Sequence, residues 1–93
     1  MNKITYFYID DCPFCAMADQ AIGELIAEEP AYAAVDFDRI DEEAFPERTE
    51  GYDYYYVPTF FLGDEKLFEA YYMIPYEEVK AGVRKAMDAA LQR

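Results

Sequence analysis

Between a β-branched and aromatic run, Ile4-Thr5-Tyr6-Phe7-Tyr8-Ile9, and a stretch of helical spacing lies Cys12-Pro13-Phe14-Cys15, and this junction limits the fold more than any other feature. The run reads as a strand buried on both faces, and Asp10-Asp11 ends it. Ala18, Ala21, Ile22, Leu25 and Ile26 then recur at the spacing of one helical face, up to Pro30. Gly23 sits inside that helix and costs it about 1 kcal/mol relative to Ala. Pro13 suits the first helical turn, where its missing N–H has no partner to lose. The chain must therefore pass from strand to helix within a few residues, with both cysteines at the turn.

That placement makes Cys12 the N-cap, the residue whose side chain accepts from N–H groups two and three positions further on, those of Phe14 and Cys15. The donors and the positive end of the helix favour a nucleophilic sulfur. Cys15 follows almost one turn later, shielded by the helix and within reach of Cys12. The asymmetry predicts an attacking thiol at Cys12 and a resolving thiol at Cys15. A lone C-x-x-C also serves half a zinc or iron–sulfur site. One chain with these two cysteines and no histidine offers too few such ligands, so a metal-thiolate reading needs a dimer pooling two pairs. C-x-x-C after a strand and opening a helix instead points to thiol–disulfide exchange.

Downstream, Val35-Asp36-Phe37-Asp38 alternates as a second strand, and Asp41 to about Tyr52 reads as a short, irregular helix interrupted by Pro46. Thr59-Phe60-Phe61-Leu62, the turn Gly63-Asp64-Glu65 and Lys66-Leu67-Phe68-Glu69-Ala70 form a hairpin. Pro75 fits a first helical position, with Glu77 and Glu78 in the first turn. Val79, Val83, Ala86, Met87, Ala90 and Leu91 give the last helix one apolar stripe. The order is β-α-β-α-β-β-α. The opening βαβ makes the first two strands parallel through a right-handed crossover, and helices before and after the hairpin can cover opposite faces. The expected fold class is α/β, a three-layer α/β/α arrangement over residues 1–93 as a single domain.

Charge narrows the partners. Twenty acidic residues stand against eight basic ones, a net charge of −12. A phosphate backbone needs clustered Lys and Arg, so nucleic acid is excluded as a ligand class, and an anionic membrane surface for the same reason. No apolar run approaches the roughly 20 residues of a membrane span. The expected location is the cytoplasm, where a close cysteine pair serves redox chemistry more than scaffolding. A basic or neutral protein partner fits this acidic chain best.

By Cys12-Pro13-Phe14-Cys15 the sequence resembles the thioredoxin superfamily, and most of all its glutaredoxin branch; the likeness spans nearly the whole chain. A second motif, Val57-Pro58-Thr59, is similar to the family's x-Pro-Thr before the hairpin. The resemblance implies a four-stranded mixed sheet in order 4-3-1-2 with strand 3 antiparallel, and a cis bond before Pro58. It also implies that Pro58 lies beside the cysteine pair and that the Val57 backbone pairs with a substrate. Three departures stand out. The family's thioredoxins bury a carboxylate at the position held here by Tyr6. Its glutaredoxins hold glutathione with a Lys near the motif, whereas this chain has Asp10-Asp11, and Ala70-Tyr71-Tyr72-Met73-Ile74 replaces their Gly-Gly and acidic clasp.

The resulting expectation is a thiol–disulfide oxidoreductase acting through Cys12 and Cys15, with Pro13 and Phe14 in the active-site loop and Tyr56, Val57, Pro58 and Thr59 contacting substrate. Phe14 is expected to face outward. Tyr52, Tyr54, Tyr55 and Tyr56, with Tyr71, Tyr72 and Tyr76, either form an aromatic platform or complete the edge of the core. The substrate is a disulfide-bearing protein or small molecule, and a reductase of unspecified kind supplies electrons. No bound cofactor is expected beyond the dithiol itself, and glutathione is disfavoured. The alternatives are a glutathione-dependent glutaredoxin and a non-catalytic protein-binding module on the same fold.

Overall fold

The computed structural model describes residues 3–93. Its elements are β1 (Lys3–Tyr8), α1 (Pro13–Glu28), β2 (Asp36–Asp41), β3 (Thr59–Leu62), β4 (Glu65–Glu69) and α2 (Tyr76–Gln92), with short 3-10 turns at Pro30–Ala34 and Pro46–Thr49. The four strands form one sheet in the order β2-β1-β3-β4, which is the expected 4-3-1-2 read from the other edge. β1 runs parallel to β2 and antiparallel to β3, and β3 and β4 form the antiparallel hairpin. Gly63, at φ 62°, supplies the left-handed conformation that its tight turn needs. A register shift beside Phe60 and Phe61 marks a bulge in the hairpin.

The alternation of side chains along β1 divides the core in two. Ile4 and Tyr6 face the helices, where they join Phe60, Ala18, Leu25, Val83 and Met87 in one buried cluster. Ala18, Ala21, Ala86 and Ala90 are fully or almost fully buried, and small residues at these positions let α1 and α2 lie against each other as well as against the sheet. Phe7 points to the other face, with Ile40 and Phe61.

That second face is closed differently from expectation. The helix anticipated between Asp41 and Tyr52 shrinks to the 3-10 turn Pro46–Thr49. Asp41 Oδ1 accepts from the N–H groups of Glu43 and Ala44, at 3.0 and 3.3 Å, and so competes with helical bonding. Pro46 cannot continue a helix begun before it, and Phe45 is left exposed. The covering layer is instead the extended segment after it: Tyr54 stacks on Phe7 at 4.9 Å, and Tyr52 meets Phe61 edge-on at 4.8 Å. Such pairs contribute about 0.5–1.5 kcal/mol each beyond the area they bury. The Tyr54 hydroxyl is satisfied by donating to Glu42 Oε1 at 2.6 Å, and burial followed by that bond pushes its phenol up. At α2, Pro75 takes the N-cap rather than a first helical position.

Two expected outcomes test this packing. A Cβ built on Gly82 would lie 2.2 Å from the ring of Phe68, whereas nothing lies within 4 Å of one on Gly23. Gly23→Ala should therefore raise stability by about 0.5–1 kcal/mol through helix propensity. Gly82→Ala should lower it by about 1–2 kcal/mol, overpacking exceeding the same propensity gain; urea midpoints of the two variants check the contrast.

The second concerns Glu24, which joins the helices by accepting from Tyr76 Oη at 2.7 Å and Lys80 Nζ at 3.0 Å, and from Gln20 within α1. Those hydrogen bonds, Gln20 first, then Tyr76 and Lys80, lower its carboxyl from 4.5 to about 2. A depressed folded-state value stabilises the fold above the unfolded value and ceases to as the group is protonated. Stability should fall with pH between 4.5 and about 2, and Glu24→Gln should flatten that part of the curve.

Candidate functional site

Asp11 takes the left-handed conformation, φ 56°, which Asp tolerates better than most residues. The bend turns the chain from β1 into α1 and leaves Cys12 as the N-cap in extended conformation, with Pro13 at the first position. The Cys15 N–H donates to Cys12 Sγ at 3.1 Å, the capping bond expected from spacing alone. Cys12 is partly accessible, Cys15 is 4% exposed, and both are free thiols. Burial is the main cause that pushes the Cys15 thiol up; the hydrogen bond with Cys12 adds to it, and a backbone contact from Ile9 opposes it. An accessible capped sulfur and a shielded, proton-holding one therefore stand one helical turn apart.

The pair opens into a cleft of about 470 Å³ lined by Tyr8, Ile9, Asp10, Asp11, Pro13, Ala16 and Asp19 besides the cysteines. Its lining has three carboxylates and no cation. Asp19 was not among the residues that sequence reasoning selected. The available signal was its spacing: it follows Cys15 by four residues and so shares that helix face. The Tyr6 hydroxyl directs its one proton at two acceptors, the Cys15 carbonyl and Asp19 Oδ1, each at 3.1 Å. Arg39 of β2 pairs with the same Asp19 oxygen, and its guanidinium lies 5.0 Å from the centroid of the Tyr6 ring. Burial first, then the Asp19 charge, pushes the Tyr6 phenol up, so it remains a donor. β1, β2 and the first turns of α1 are thus fastened together directly behind Cys15.

The second motif lies at the same end of the sheet. Phe7 near the end of β1 pairs with Thr59 at the start of β3, so Val57-Pro58 continues β3 towards the end from which the Cys12 loop leaves β1. The Val57–Pro58 bond is cis, as the resemblance implied, and the Pro58 carbonyl accepts from the Ala70 N–H at 3.0 Å. The four expected substrate contacts separate here. Tyr56 is 50% exposed and Val57 partly so. The side chains of Pro58 and Thr59 are buried, and the Thr59 hydroxyl donates to the Tyr56 carbonyl. Thr59 thus holds the turn, and its side chain is buried because β3 buries both its faces. None of the four lines the cleft beside the cysteines.

The tyrosines also divide. Tyr52 and Tyr54 turn inward onto the second core, whereas Tyr55 and Tyr56 turn outward. Phe14 is partly buried, not freely exposed, its ring edge-on to Tyr72 at 6.4 Å. Among the described residues, no group of three or more Cys, Asp or Glu side chains is arranged to hold a metal ion, and no helix is long and apolar enough to cross a membrane.

No family model matches the chain, and no curated protein matches it. Among solved structures it is similar to thioredoxin 1 from the thermophilic eubacterium Thermosipho africanus TCF52B, at a TM-score of 0.57 and 19% identity, over 96% of this chain and 98% of that one. It is also similar to a structure described as a malarial protein, at a TM-score of 0.56 and 14% identity, over 90% of this chain and 94% of that one. At these identities the likeness is one of architecture, and in architecture the chain is thioredoxin-like.

Proposed function

We propose that the protein is a thiol–disulfide oxidoreductase in which Cys12 attacks a substrate disulfide and Cys15 resolves the product. The observation that carries this reading is the pairing of an accessible N-cap sulfur, held by the Cys15 N–H at 3.1 Å, with a buried second thiol. The Cys12 thiolate attacks one sulfur of R–S–S–R′, forming Cys12–S–S–R and releasing R′–S⁻, which takes up a proton. Cys15 then loses its proton and attacks Cys12 Sγ; the Cys12–Cys15 disulfide forms and R–S⁻ leaves, protonated in turn. The substrate gains two electrons and the protein dithiol loses them. A separate reductant must restore the dithiol, and the cytoplasm, which keeps thiols reduced, is the compartment proposed for the cycle.

Asp10 and Asp11 at the mouth of the cleft argue against anionic glutathione as the preferred partner. The accessible, capped Cys12 beside a buried Cys15 supports the redox reading over a non-catalytic binding module on the same fold. Val57 and Tyr56 are the proposed substrate contacts of the second motif, with Pro58 and Thr59 setting their position.

Cys12→Ser should reduce turnover of hydroxyethyl disulfide to the uncatalysed rate, whereas Cys15→Ser should accumulate a mixed disulfide on Cys12, seen by intact mass. Iodoacetamide at neutral pH should label Cys12 well before Cys15; preferential labelling of Cys15 would falsify the assignment of roles. Because burial raises the Cys15 thiol, release of a thiol from Cys12 should accelerate about tenfold per pH unit from neutrality upward, following the thiolate fraction. Stopped-flow resolution of a preformed mixed disulfide measures that slope.

A further inference from the structure

The exposed large apolar side chains of the described residues are not scattered. Tyr55 is 87% exposed, Tyr72 74%, Met73 68% and Tyr56 50%, and among the described residues the other exposed large apolar side chains are Phe45, Tyr71 and Leu91. These four lie in the two segments that meet at the cis bond. The segments are clamped together by the Ala70 N–H on the Pro58 carbonyl at 3.0 Å, and by Glu69, whose Oε2 accepts from the N–H groups of Tyr55 and Tyr56 at 2.6 and 2.8 Å. The turn at Met73, φ 66°, is a conformation uncommon for a residue of this kind, and it leaves Tyr72 and Met73 in solvent. Tyr72 in turn meets Phe14, between the two cysteines, edge-on at 6.4 Å. An aromatic strip is thus shared between two segments bonded to each other, Tyr55 and Tyr56 on one and Tyr72 on the other, with Tyr72 reaching Phe14 of the cysteine loop.

Charge decides what the strip receives. The protein carries −12, so a second copy is repelled from it. Arg39, Arg48, Lys66, Lys80, Arg84 and Arg93 are all held in ion pairs with carboxylates. Asp10 and Asp11, at the cleft mouth, have no ion-pair partner among the described residues. Tyrosine faces attract guanidinium and ammonium groups, and bare carboxylates steer them.

We propose that the disulfide presented to Cys12 is carried on an extended, Lys/Arg-rich protein segment that lies across Phe14, Tyr72, Tyr55 and Tyr56 and is steered by Asp10 and Asp11. This substrate class rests on the oxidoreductase reading given above. Two matched octapeptides, each with one cysteine in disulfide with 2-mercaptoethanol, test it: one flanks the cysteine with Lys and Arg, the other with Glu and Asp. Neutral hydroxyethyl disulfide serves as the reference for chemistry without docking.

The reduced full-length protein should react with the basic peptide about tenfold or more faster than with the acidic one at low salt, and the ratio should collapse to about twofold near 1 M salt. The double variant Asp10→Asn/Asp11→Asn should cut the basic-to-acidic ratio several-fold. Tyr72→Ala should lower the basic-peptide rate relative to hydroxyethyl disulfide several-fold. Reaction with hydroxyethyl disulfide but equal rates with the two peptides, or a faster acidic peptide, overturns the proposal and leaves the oxidoreductase reading standing. No reaction with any of the three disulfides overturns that reading as well.

Discussion

The hydrogen bond from the Cys15 N–H to Cys12 Sγ joins the chemistry proposed for this protein to the path of its chain. A helix start leaves N–H groups without partners, and something must accept from them. Here the acceptor is a sulfur, placed by a left-handed Asp11 on one side and Pro13 on the other. The same geometry that lets β1 hand the chain to α1 sets one thiol at the surface and turns the next one inward. What lies behind the pair maintains the arrangement: Tyr6 holds the Cys15 carbonyl and Asp19 together, and Arg39 secures Asp19 from the neighbouring strand. Loss of the Tyr6 hydroxyl would leave a buried carbonyl with one acceptor site unmet and α1 tied less firmly to the sheet.

The two faces of the sheet meet different demands. The helical face is assembled from side chains at regular helix spacing, and its polar margin is secured by Glu24, which takes Tyr76 and Lys80 of α2 from its place on α1. The opposite face has no long amphipathic helix to use. It is closed by aromatic rings at alternate positions of an extended segment, which bury their bodies against Phe7 and Phe61 while their polar tips reach carboxylates or solvent. The outward members of the same segment remain available at the end of the sheet where the cysteines lie. Core closure and surface presentation thus fall to neighbouring parts of one tyrosine-rich stretch.

Local signals explain how much of this was legible beforehand. The run Ile4 to Ile9, the spacing from Ala18 to Ile26 and the apolar stripe of α2 each sit within one element, and each was readable. The capping role of Cys12 was readable because Pro13 fixes where the helix starts. The helix expected over Asp41–Tyr52 failed because Asp41 and Pro46 draw the backbone into turns, and the apolar positions there were too few to pull it back. Alternation at Tyr52 and Tyr54 carried the true signal, but it looks like helix or loop until the facing strand is known. Asp19 was missed for a related reason: on a helix surface it reads as a solvated charge, and only the fold brings Tyr6 and Arg39 to it. Thr59 was read as a ligand contact from its motif, and what the motif did not show is that its side chain lies in a strand buried on both faces.

The most direct test of the central claim is the redox equilibrium of the cysteine pair in the intact chain. The protein is equilibrated in graded mixtures of reduced and oxidised dithiothreitol, quenched with acid, alkylated and weighed. The account predicts one reversible two-electron transition between a species carrying two alkyl groups and a monomeric species carrying none, with peptide mapping placing the bond between Cys12 and Cys15. Persistence of two alkylated thiols across the whole range, or oxidation only to disulfide-linked dimers, would contradict it.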